Sequence, residues 1–84
     1  MQSQSIQGKI DQLIKLANHH FCEKNVIEAL VEYNRALDLY DVLENYYRVQ
    51  KQEVQVRIAV CYDLLGNTRK AEHFVTKALE TIPN

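Results

Sequence analysis

Apolar residues recur along this chain near the period of an α-helix, in four blocks separated by short polar stretches. Ile6, Ile10, Leu13, Ala17 and Phe21, with Ile14 and Leu16 beside them, predict a first helix over about residues 6–23. Ser5 is placed to cap it, Gly8 weakens its first turn, and the polar residues 1–5 are expected to fray. Asn25-Val26-Ile27-Glu28 has the spacing of a capping box in its Asn form. It opens a second helix over about 26–44, apolar at Ile27, Ala29, Leu30, Tyr33, Ala36, Leu37 and Tyr40. A third helix over about 47–65 carries Val49, Val54, Val56, Ile58, Ala59, Cys61, Tyr62, Leu64 and Leu65. It is apolar on more than one face, as befits a helix between two neighbours. A fourth, over about 68–81, shows Ala71, Phe74, Val75, Ala78 and Leu79, with Ile82 just beyond and Pro83 as its stop.

The breaks are less evenly marked than the helices. Gly66 supplies a φ > 0 position that ends a helix at little cost, and Asn67 caps the next one. No Gly or Pro occurs between Gly8 and Gly66. Asn45 is the best break between the second and third helices, because Asn tolerates the left-handed conformation. The competing expectation is one continuous helix through residue 45, which would open the structure and favour domain swapping.

The blocks repeat. Ala29, Tyr33 and Ala36 follow Asn25 as Ala71, Val75 and Ala78 follow Asn67, an offset of about 42 residues. Self-similarity at a fixed period marks a helical repeat, and small residues at i and i+7 let two helices approach closely.

Composition narrows the function classes. Eighty-four residues, 46% hydrophobic and 25% charged with two Gly and one Pro, make one small helix-rich domain. A formal net charge of -1 argues against nucleic acid as the partner, since phosphate binding wants clustered Lys and Arg. No apolar run approaches the ~20 residues of a membrane span. Residues 1–12 are polar, without the apolar region of a signal peptide. Two cysteines, Cys22 and Cys61, are too few for a disulfide framework and read as small buried hydrophobes in a cytoplasmic protein.

Catalytic signals are absent from the sequence. It has no Gly-rich phosphate loop, no nucleophile elbow, and no cofactor-binding pattern. His19, His20 and Cys22 lie close together, but neighbouring helical positions point about 100° apart, so they do not converge on a metal. His73 reads as a solvent-side histidine of the fourth helix. Tyr33 and Tyr62 read as core, whereas Tyr46 and Tyr47 are freer to anchor a partner. Glu32 is spaced to pair with Arg35 at i,i+3.

In the second repeat Ile58, Ala59, Tyr62, Gly66, Ala71, Val75, Ala78 and Pro83 fall at the signature positions of the tetratricopeptide repeat (TPR) family, which the chain resembles over about residues 10–83. The first repeat matches at Leu13, Leu16, Ala17, Ala29, Tyr33 and Ala36. There His20 replaces the usual Tyr, Lys24 the turn glycine and Asp41 the closing proline. The long period is similar to that of the long-helix subclass of kinesin light chains. The resemblance implies an all-α right-handed α-solenoid of antiparallel hairpins, about four helices in one domain over 6–84. Repeat 1 would cover about 10–44 and repeat 2 about 47–83.

It also implies a non-enzymatic protein–protein interaction module: an adaptor, co-chaperone or assembly scaffold. A partner's peptide or helix would lie in a concave groove lined by the first helix of each repeat. Carried over residue by residue, that groove takes Asp11, Ile14, Lys15, Asn18, Phe21 and Cys22, then Glu53, Val56, Arg57, Val60, Asp63 and Leu64. Asn18 matches the clamp that some relatives use for acidic heat-shock protein tails. Ile14 stands where the clamp needs Lys, and Arg57 where it needs a second Asn. A mixed apolar and charged groove suits an internal helix or extended segment better. Phe74, Leu79 and Ile82 form an apolar stripe on the last helix, for self-association or capping. A self-assembling repeat protein, with homo-oligomers joined through repeat ends, is one alternative. The other is a three-helix MIT-type trafficking bundle, which Ala17 to Tyr40 also resembles through Lys24-Asn25 and Glu28-Ala29-Leu30.

Overall fold

The computed structural model describes residues 2–43 and 47–82, with side chains from residue 6 onward. They form four helices: α1 (Gln2–Cys22), α2 (Val26–Val42), α3 (Arg48–Leu64) and α4 (Thr68–Thr81). The expected boundaries of α2, α3 and α4 lie within two residues of these. The start of α1 is displaced: the helix runs back to Gln2 and takes Gly8 into its second turn, where a single glycine costs only about 1 kcal/mol. Four helices, rather than three, remove the MIT-type alternative.

The helices pack as two antiparallel hairpins, α1 on α2 and α3 on α4, joined by packing of α2 on α3. Two separate helices therefore lie on either side of residues 44–46, not one continuous helix. Asn45, the expected break, and Tyr46 lie outside the described residues. Tyr47, just before α3, is left-handed (φ 62), and its ring sits 6.5 Å from that of Tyr40. Lys51 Nζ lies 2.6 Å from Asp41 Oδ1 and ties α3 to the end of α2. Asp41, which stands at the family's closing-proline position, therefore fastens one hairpin to the other.

The core is built on the expected stripes. Ile10 and Ala17 of α1, Ala29, Tyr33, Ala36 and Tyr40 of α2, and Val54, Ile58 and Cys61 of α3 form one buried cluster. α4 adds Ala71 and Ala78, the small residues at i and i+7 that let it approach α3. Two polar links that the hydrophobic pattern does not reveal fasten the end of this hairpin. Gln52 Nε2 donates to the Ala78 carbonyl at 2.8 Å, and Thr81 Oγ1 donates to the buried Gln55 Oε1 at 2.7 Å. The cysteines divide, correcting the expectation that both are buried: Cys61 faces the core, whereas Cys22, in the last turn of α1, is exposed.

The two hairpin turns share one backbone. The Asn25 N–H donates to the His20 carbonyl (2.8 Å) and the Lys24 N–H to that of Phe21 (3.0 Å). Forty-two residues on, Asn67 and Gly66 repeat these bonds to Tyr62 and Asp63 at the same distances. This is the Schellman ending, which needs a left-handed residue just past the helix. Gly66 (φ 81) supplies it in one turn and Lys24 (φ 67) in the other.

Candidate functional site: two grooves beside α3

Of the residues expected in the groove, Asp11 and Ile14 on α1 and Glu53 and Arg57 on α3 meet across one cleft of ≈ 260 Å³. Tyr40 and Tyr47 also line it. Ile14 is half-buried against the core, whereas Asp11, Glu53 and Arg57 are exposed. Lys15 is exposed on α1. Phe21 is half-buried and packs on the core.

Asn18 has a structural partner. Its Oδ1 accepts from the hydroxyl of Tyr33, which is fully buried. A hydroxyl buried this deeply needs such an acceptor, so the pair closes a hydrogen bond between α1 and α2. Burial raises the Tyr33 pKa, and the Arg57 guanidinium beside the hydroxyl offsets part of that rise. Tyr40 is raised too, first by burial and then by Asp11 and Glu53. Burial likewise raises the Cys61 thiol, with Arg57 pulling the other way, so Cys61 stays a protonated core group rather than a thiolate nucleophile. Among the described residues, no three His, Cys, Asp or Glu side chains converge on one point. No helix among them is long and apolar enough to cross a membrane.

Val56 and Val60 belong to a different surface. With Ala59 and Asp63 of α3, and Ala71, Glu72 and Val75 of α4, they line a groove of ≈ 530 Å³ on the far side of α3. The apolar floor of this groove was not legible as a site from the stripe of α4. Of that stripe, Phe74 is half-buried with its ring stacked 5.7 Å from that of Tyr62, and Ile82 is half-buried. Leu79 is 67% exposed and lies outside the groove lining. The signal that finds the groove is the 42-residue register, through Val75, the counterpart of Tyr33. Expected ion pairing is present where it was placed: Arg35 Nη1 lies 3.1 Å from Glu32 Oε1. His73 is exposed and meets the Phe74 ring edge-on.

A family model described as tetratricopeptide repeat matches residues 11–83. Neither a curated protein nor a solved structure matches the chain.

Proposed function

This chain belongs to the tetratricopeptide repeat family, and on that premise we propose that it is an adaptor, co-chaperone or assembly scaffold that holds a peptide or helix of another protein in the α1–α3 cleft. Repeats of this family are generally protein–protein interaction modules rather than enzymes. The observation that carries the finer reading is the make-up of the cleft. Asp11 and Glu53 face a single cation, Arg57, over the half-buried Ile14 and the tyrosine pair. Such a surface offers an extended or helical segment both hydrogen bonds and apolar contact. Lys15 and Asn18 extend the same side along α1.

A charge swap, Glu53→Lys with Arg57→Glu, tests this reading while keeping the net charge. Wild type and variant, first shown by circular dichroism and urea unfolding to be equally folded, are used as baits in one native lysate. A partner held by wild type and lost by the swap is the expected outcome. A partner held by both, or recovery of the bait's own copies alone, overturns the assignment to this cleft.

A further inference from the structure

The two hairpins present the same groove, and α3 fills only the first of them. Val54, Ile58 and Cys61 of α3 enter the core shared with α1 and α2, and Arg57 reaches the Tyr33 hydroxyl. Nine residues line the α3–α4 groove. Their counterparts 42 residues earlier are all buried or half-buried, whereas seven of the nine are exposed here. Val56, Val60 and Val75 are 46%, 42% and 47% exposed, although they stand where Ile14, Asn18 and Tyr33 lie covered. The register therefore identifies the shape that is missing: an α-helix seated as α3 is seated.

Its chemistry differs from that of α3. The Tyr33 hydroxyl beside Arg57 in the first groove, and the Asn18 that accepts from it, are replaced by Val75 and Val60. An arginine there would face two valines and find no hydroxyl, so an apolar group fits that point better. The rim changes in the opposite sense. Phe21 and Leu30 give way to Asp63 and Glu72, which are exposed and have no ion-pair partner among the described residues. We propose that the α3–α4 groove docks an amphipathic α-helix of a partner protein, apolar at i, i+3, i+4 and i+7 and carrying Lys or Arg on its shoulders. A second copy of this chain is a poor occupant. Its α1 offers Gln12, Leu16 and His19 where α3 offers Val54, Ile58 and Cys61, one apolar residue against three.

The probe is a stapled peptide of residues 48–64 carrying Arg57→Leu and Cys61→Ala, shown to be helical in isolation. One version has Lys at positions 60 and 64, toward the end of the helix that would meet Asp63 and Glu72, and the other has Glu. Fluorescence anisotropy should show the Lys version binding the full chain. Val75→Glu should weaken that binding at least about tenfold. Asp63→Lys with Glu72→Lys should reverse the preference to the Glu version, and Lys9→Glu, on the exposed side of α1, should change nothing. These sites are exposed, so unchanged unfolding curves are required of each variant. No saturable binding, equal binding by Val75→Glu, or equal affinity for the two peptides overturns the proposal. So does a dimer of the protein alone that Val75→Glu dissociates, which would give the groove to a second copy.

Discussion

Tyr33 and Val75 hold the same place in successive hairpins, and their surroundings differ completely. Tyr33 is fully buried, bonded to Asn18 and covered by α3, whereas Val75 looks out across an open groove. The turns show the reverse contrast. The first hairpin, better covered, turns on a strained Lys24, while the more exposed second one turns on Gly66 and has a working cap at Asn67. Burial thus carries the first hairpin and local chain chemistry the second. One repeat template can be stabilised by either route, provided the other is not lost as well.

The largest expected effect separates the two burial states. Tyr33→Ala should cost about 3–5 kcal/mol, the usual range for emptying a buried aromatic site. Val75→Ala should cost about 0.5 kcal/mol or less. Urea unfolding of both variants measures this, and similar losses would mean that the two grooves are equally covered in solution. The turns come next. Gly66→Ala should destabilise by roughly 1–2 kcal/mol purely through its backbone, because a Cβ there meets open space. Lys24→Gly should stabilise by roughly 0.5–1 kcal/mol, the relief of φ exceeding the added freedom of the unfolded chain. Thermal unfolding should therefore shift in opposite directions for the two. The smallest effect concerns the caps. Asn67→Ala should cost about 1 kcal/mol, since its Oδ1 accepts from the Lys70 N–H at 3.1 Å. Asn25→Ala should change stability by only a few tenths of a kcal/mol, because that side chain makes no cap hydrogen bond.

That last contrast marks a limit of reading structure from sequence. Asn25-x-x-Glu28 has the better capping-box spelling, yet the cap forms at Asn67. The backbone at the two residues is nearly the same (φ -87, ψ 72 against φ -97, ψ 77), so the difference lies in the side chain alone. Helix spans were legible because each has an unbroken 3.6-residue stripe, and the family signature of the second repeat gave the hairpin arrangement. Part of the candidate site was legible as well: the family resemblance pointed to Asp11, Ile14, Glu53 and Arg57, which line one cleft between α1 and α3. What the register alone could not reveal was which polar groups would be taken up internally. Asn18 and Arg57 look like ligand contacts on a helical wheel, but a buried tyrosine hydroxyl on α2 draws on both. Phe74 likewise looks available until Tyr62, twelve residues away, stacks on it. Tyr47 gave no warning of its left-handed φ, since an aromatic residue is a poor choice there by local preference.

Among the described residues the closest backbone packing is between helices next to one another in the chain, and this has a kinetic consequence. Within each hairpin no contact must wait for a long loop to close, so ordering can begin in one hairpin and spread to its neighbour. The protein should fold quickly for its stability and come apart as a zipper does, from whichever end is less firmly held. A helix seated against α4 would then act as a latch on that end, slowing the escape of every turn behind it.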